Sequence, residues 1–163
     1  MERLWSSWRL AYVSASNEPN GCIFCDALAD DEAAALVLFR GATCFVILNL
    51  YPYNNGHLMV VPNRHVAKLA EAAPEELGEL MRLTQAAEIA LTEAYRPQGM
   101  NVGMNLGRPA GAGIAEHMHV HVVPRWAGDT NFMSVVGGVR VLPEELGQTA
   151  ARLRPIFERI LAG

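Results

Sequence analysis

Residues His117-Met118-His119-Val120-His121 alternate imidazole and apolar side chains with a period of two. Only an extended strand puts i, i+2 and i+4 on one face. The three imidazoles therefore project the same way, about 6.5–7 Å apart along the chain, with Met118, Val120 and Val122 turned to the core. Three of the five histidines in the chain sit on this one face. Burying them for packing alone would leave ring nitrogens without partners, which is costly. The readings that stay open are a metal centre, an ordinary polar strand face, and phosphoryl chemistry. The last suits the residue type. A neutral imidazole nitrogen is a competent nucleophile near neutral pH, and a phosphorylated imidazole is reactive enough to turn over.

The rest of the composition narrows the class. With 163 residues, 51 % apolar and 18 % charged, the chain can bury one real core. It does not have the composition of a disordered segment. A formal net charge of -4 and a pI near 5.7 argue against nucleic-acid binding through phosphate neutralisation. A small anionic ligand is compatible with that charge. No apolar run approaches the roughly 20 residues that a membrane helix needs. Met1 to Arg9 is charged and tryptophan-containing, unlike a signal peptide. Three cysteines, two in Cys22-x-x-Cys25, do not make a secreted disulfide framework. A cytoplasmic protein with no membrane contact is expected.

Residues 1–20, with Trp5 and Trp8, read as an irregular arm, and residues 21–163 as a single domain. Thr43 to Leu48 is a β-branched and aromatic strand. Asn49 to Gly56 is dense in turn formers, and His57 to Val61 is a second strand stopped by Pro62. Pro74 to Tyr95 reads as a long helix. Leu77, Leu80, Met81, Thr84, Ala87, Leu91 and Ala94 form its apolar stripe, and Pro97 and Gly99 end it. Met100, Val102, Met104 and Leu106 alternate with polar or small residues as in a strand. The histidine strand then runs from about His117 to Val123, closed by Pro124. A last helix begins at Pro143, with Leu146, Ala150 and Leu153 on one face and Pro155 expected to kink or split it. Strands, a long helix, strands and a final helix predict an α+β fold with an antiparallel sheet.

Upstream of the histidines, Asn105 to Gly113 is rich in glycine and alanine. Small residues let backbone N–H groups approach a phosphate, so the segment is a candidate anion cradle. Cys22 and Cys25 have the spacing of half a zinc site. A redox pair or two small buried cysteines are the competing readings. Cys44 lies in a strand and reads as core. Arg125, Trp126, Asp129 and Asn131 follow the histidine strand. Trp126 is assigned to ligand stacking or to packing, and Asp129 and Asn131 to capping a turn.

His117 to Arg125 resembles the signature of the histidine triad (HIT) family, His-φ-His-φ-His-φ-φ. Asn49 through His57 is similar to that family's nucleoside-binding segment. Arg3-Leu4-Trp5, Trp8-Arg9, Leu48 to Asn54 and Pro124 to Phe132 resemble most the bacterial diadenosine polyphosphate phosphorylases, or ATP adenylyltransferases. The resemblance implies a five-stranded antiparallel sheet with a long helix and a C-terminal helix, continued across a homodimer. It implies nucleotidyl transfer at the α-phosphate of a dinucleoside polyphosphate, completed by phosphate or water. Substrates and products of that chemistry include diadenosine tetraphosphate, ATP, ADP and AMP. Nucleoside phosphoramidate hydrolysis and a non-enzymatic nucleotide sensor are the alternatives.

Position by position, the resemblance makes His119 the nucleophile. His121 supports the phosphate, His117 orients the triad and His57 buttresses it. Asn49 becomes the ribose contact and Ile47 a wall of the base pocket, while Asn105, Gly111, Ala112 and Gly113 form the phosphate loop. Relatives that carry a serine, threonine or glutamine where this chain has Gly113 gain a phosphate contact worth about 0.5–1.5 kcal/mol. Family members with the Cys-x-x-Cys motif complete a structural zinc site with two histidines. The matching positions here are Cys22, Cys25, His65 and His117, with no organic cofactor implied.

Overall fold

The computed structural model describes residues 21–29, 33–129 and 143–162. The arm with Trp5 and Trp8, and Thr130, Asn131 and Phe132, lie outside the described residues. The elements in chain order are α1 (Ile23–Ala29), β1 (Val37–Arg40), β2 (Cys44–Leu48), β3 (Leu58–Pro62), α2 (Pro74–Tyr95), β4 (Gly99–Gly103), β5 (Val120–Arg125) and α3 (Leu146–Leu161). The strands make one five-stranded sheet in the order β1-β2-β3-β5-β4. All four pairings are antiparallel. This is the α+β architecture expected from the alternation of periods, with α1 and β1 added.

The central strands β2 and β3 bury both faces because helices cover that part of the sheet on both sides. Cys44, Val46 and Leu48 of β2, Leu58 and Val60 of β3, and Val120 and Val122 of β5 pack on α2 and α3. The alternate residues Phe45, Ile47, Met59 and Val61 pack on Phe24 and Ala27 of α1. The first face is the structural core, and the second carries the site.

α2 matches its expected bounds. Pro74 occupies the first turn, where a missing N–H costs nothing. The Glu76 carboxylate accepts the Ala73 N–H at 2.8 Å and the Arg64 guanidinium at 2.8 and 2.9 Å. Arg96 ends the helix in the left-handed region at φ 47°. The buried stripe is Glu76, Leu80, Leu83, Thr84, Ala86, Ala87, Ala90 and Leu91. Leu77 and Met81, expected in the stripe, are 36 % and 64 % exposed. Leu83 and Ala90 take their place because the helix packs on its alanine-rich side, where short side chains allow close approach to the sheet.

Three further boundaries differ from expectation. Pro124 does not close β5, which runs on to Arg125. The β3–β5 pairing covers Val120 to Val122 only, so the ladder on that side has ended where Pro124 would have had to donate. The Pro124 carbonyl instead accepts the Asn54 amide at 3.1 Å. α3 starts at Leu146 rather than Pro143. The intervening Glu144 accepts the Tyr95 hydroxyl, the Thr149 hydroxyl and the Arg152 guanidinium. Pro155 sits within α3 without splitting it. It and Ala151, whose carbonyl loses its helical partner, are both exposed, so water can satisfy that carbonyl.

Candidate active site and metal cluster

His117 and His119 lie just before β5, and only His121 is inside the strand. The period of two nevertheless holds through the whole segment. Met118, Val120 and Val122 enter the core while the three imidazoles share the opposite face. Ring centroids of His119 and His121 are 4.8 Å apart, and those of His57 and His121 are 5.1 Å apart. The histidine strand thus extends beyond its ladder. The Met118 N–H donates to the Val66 carbonyl at 2.7 Å, which anchors the unladdered part.

Hydrogen bonds fix the proton on each ring. His119 Nδ1 lies 2.8 Å from the His117 carbonyl oxygen. A carbonyl only accepts, so Nδ1 carries the proton and Nε2 holds the lone pair. The Tyr53 backbone N–H donates to His57 Nδ1 at 3.0 Å. His57 Nε2 then carries its proton and donates to His121 Nδ1, 3.0 Å away. His121 is left with its proton on Nε2. The result is an imidazole lone pair on His119 beside an imidazole donor on His121, which are the two groups an attack on a phosphoryl centre requires. Burial pushes His119 below the ordinary imidazole range, against the opposing pull of the His117 carbonyl. Burial thus favours the neutral form of the His119 imidazole. His57 is wholly buried, held between the Tyr53 ring at 4.7 Å and His121.

A cavity of about 430 Å³ opens beside His119. Ile23, Phe24 and Ala27 of α1, Ile47 of β2, Met59 of β3 and Ile114 give it apolar walls, and Asn49 lies at its edge. An apolar cavity with a few polar groups at its edge is the general form of a small-molecule site. Ile47, expected as a wall of a base pocket, lines this cavity. Asn49 is 7 % exposed. Its Oδ1 accepts the Tyr51 N–H at 2.9 Å, shaping the turn. Its Nδ2 lies 3.4 Å from both nitrogens of the His57 ring. Equal distances to both ring nitrogens place that amide over the ring rather than in its plane, so it makes no in-plane hydrogen bond.

The Gly/Ala loop leads into Ile114. Asn105 Nδ2 donates to the Gly111 carbonyl at 3.4 Å, and Gly111 has φ 94°. The Ala112 N–H donates within the loop to the Gly107 carbonyl at 3.3 Å. Asn105 and Ala112 thus shape the loop. On the other side, Asp129 does more than cap a turn. Its carboxylate accepts Arg125, the Trp126 N–H and the Asn54 amide, tying the end of β5 to the turn before His57.

Sequence reasoning missed Phe24, Met59, Ile114 and Tyr53. Tyr53 sets the His57 tautomer through its backbone N–H, which no side-chain pattern reports. Phe24 packs on His117 and His119, with centroids at 5.4 and 5.0 Å, and belongs to a helix too short to show a period.

Beneath the triad, the ligand atoms of Cys22, Cys25, His65 and His117 all lie within 4.8 Å of one another. Cys22 Sγ is 3.3 Å and Cys25 Sγ 3.7 Å from His117 Nδ1. Cys25 Sγ is 3.3 Å from His65 Nδ1. Zinc bonds of about 2.3 Å to sulfur and 2.0 Å to nitrogen at tetrahedral angles imply edges of about 3.5 Å. The four donors therefore fit a zinc ion. His117 Nε2 lies 2.8 Å from the Pro62 carbonyl, so it carries the proton and leaves Nδ1 for a metal, the usual outer support of a histidine ligand. Burial, reinforced by the neighbouring Cys22, pushes the Cys25 thiol up. A divalent cation reverses that penalty by taking both sulfurs as thiolates. Cys44 is fully buried, and burial raises its thiol to about 11. It is core, as expected.

The comparisons agree with this geometry. The HIT domain family matches over residues 30–128. A curated relative, the AP-4-A phosphorylase of Mycobacterium tuberculosis, is 45 % identical over 98 % of this chain and 86 % of its own length. A Zn-bound histidine triad family protein from Mycobacterium smegmatis superposes with a TM-score of 0.69 at 26 % identity, covering 87 % of this chain and 96 % of that one. A hypothetical histidine triad nucleotide-binding protein from Sulfolobus tokodaii gives 0.70 at 26 % identity, over 85 % and 93 %. A triad whose protons are ordered for attack, an apolar cavity beside it and a thiol–imidazole cluster below it all sit on this sheet, and the chain belongs to the HIT domain family.

Proposed function

We propose that this protein cleaves dinucleoside polyphosphates such as diadenosine tetraphosphate at the α-phosphate and passes the adenylyl group to phosphate. His119 Nε2 attacks the α-phosphorus, forming a P–N bond as the bond to the bridging oxygen breaks. ATP leaves, with His121 Nε2–H donating to the phosphoryl or leaving oxygen. Phosphate then attacks the adenylyl-histidine, giving ADP and restoring the imidazole. The observation that carries this reading is the 2.8 Å bond from His119 Nδ1 to the His117 carbonyl, which leaves the lone pair on the nitrogen that must react. The 45 % identical AP-4-A phosphorylase supports the substrate class and the use of phosphate.

The cavity beside His119 is assigned to the nucleoside, with Ile47 on the base and Asn49 near the ribose. Gly111 to Gly113 are assigned to the phosphates. Cys22, Cys25, His65 and His117 are assigned to zinc, with a structural role. No helix among the described residues is long and apolar enough to cross a membrane. The two thiols of the cluster suit a reducing compartment, which supports a cytoplasmic location. Finding the native protein in an exported fraction would refute that location.

Product analysis tests the reaction. Purified protein given diadenosine tetraphosphate is expected to yield ADP and ATP in equal amounts, in proportion to added phosphate. AMP and ATP formed regardless of phosphate would replace phosphorolysis with hydrolysis. Inertness toward the dinucleotide, with turnover of an adenosine phosphoramidate, would move the protein to a different leaving group.

A further inference from the structure

α1 is seven residues long, too short to hold a helix unaided in water. It nevertheless supplies Ile23, Phe24, Asp26 and Ala27 to the lining of the nucleoside cavity. Two devices hold it. At its N-terminal end, Cys22 and Cys25 meet His117 and His65 in the metal cluster. At its C-terminal end, the Arg40 guanidinium of β1 donates to the Ala27 and Leu28 carbonyls at 2.9 and 3.4 Å. Phe24, between the two sulfur-bearing residues, is 1 % exposed and lies against both His117 and His119. His117 itself faces two ways. Its ring Nδ1 belongs to the cluster, and its carbonyl holds the Nδ1 proton of His119.

We propose that the cluster sets nucleotide affinity: Cys22 and Cys25 are positioning residues that, with zinc bound, pin α1 as the movable wall of the nucleoside pocket. The same ligand set steadies the backbone that orients His119. Without the metal, α1 keeps Arg40 and the burial of Phe24 but loses its N-terminal tether. The pocket is then complete in only a fraction of molecules, and apparent affinity falls by that fraction. This rests on the reading that the cavity takes a nucleoside.

The test is calorimetric binding of AMP to the full chain, with zinc content and hydrogen exchange of residues 23–29 measured on the same samples. Zinc-loaded protein is expected to bind AMP and protect α1. Chelated protein and Cys25→Ser are expected to bind about tenfold or more weakly, as for a wall docked about a tenth of the time. Their α1 should exchange fast while α2 stays protected, and zinc added back to chelated protein should restore both. Should metal loss unfold the chain, Arg40→Ala supplies the second arm. It frees the other end of α1 with zinc retained and is expected to weaken AMP in the same sense. AMP affinity within about twofold in folded, metal-free protein would overturn the proposal, since about 0.4 kcal/mol is all that factor represents. So would wild-type protein that takes up no zinc. Protected α1 with no AMP binding in zinc-loaded protein would instead overturn the nucleoside reading and with it this role.

Discussion

His57 has no place in the triad signature, yet the proton order of the site depends on it. The Tyr53 N–H fixes its Nδ1 as acceptor, and its Nε2 then donates to His121 Nδ1, which leaves the His121 proton on Nε2. Leucine at position 57 fills similar space but leaves the His121 tautomer undirected. His57→Leu is expected to lower kcat by about 10–100-fold, the usual cost of losing an outer support of this kind, with AMP affinity nearly unchanged. Steady-state kinetics with parallel calorimetry read the split. An unchanged kcat would mean that His121 takes its orientation elsewhere. The triad face was legible in the sequence because a period of two can mean only one thing for side-chain direction. The double duty of His117 was not. It uses a ring nitrogen for the cluster and a backbone carbonyl for His119, and carbonyls leave no mark on residue identity.

Among the elements, α2 and β2 through β5 were readable because each carries enough residues to show its period or is bounded by proline and glycine. α1 and β1 were not. Val37–Arg40 is four residues with a bulge between Val37 and Phe39, and Cys22-Ile23-Phe24-Cys25 reads first as a metal or thiol motif. What joins β1 to β2 is also non-local. The Glu79 carboxylate of α2 accepts the Ala42, Thr43 and Cys44 N–H groups and the Thr43 hydroxyl. Burial works to raise the Glu79 pKa, but these donors outweigh it and hold the group at about 2. A folded pKa below the unfolded one means that the stabilisation is complete above about pH 4.3. It is lost as pH falls from there through about 2. Glu79→Gln is expected to cost about 1.5–3 kcal/mol at neutral pH, the range for buried hydrogen bonds to a charged group. Its deficit against wild type should shrink as pH drops toward 2. Urea unfolding at stepped pH measures this, and a deficit independent of pH would assign the loss to packing instead.

At the scale of the molecule, the sheet ends at β1 and β4. β1 is bridged by Arg154 of α3, which donates to the Val37 carbonyl. β4 is exposed along most of its length, with Val102 53 % exposed. An edge strand that no described residue covers is a template for pairing, which supports the homodimer with a continuous sheet that the family resemblance implies. Val102→Lys is expected to shift the protein to monomer in sedimentation, and a wild-type monomer at all concentrations would refute the dimer. The zinc ligands show the same dependence on the whole fold. His65 stands 40 residues from Cys25 and His117 stands 92. Their meeting was carried by family resemblance, and spacing alone offered half a site. In the proposed reaction, His119 Nε2 becomes covalently adenylylated. Rapid quenching of diadenosine tetraphosphate turnover without phosphate, followed by mass spectrometry of the peptide holding residues 117–121, tests it most directly. An acid-labile adenylyl group is expected on His119, and it should disappear when phosphate is added. An unmodified peptide during active turnover, or an adenylyl group on His121 or His57, would contradict it.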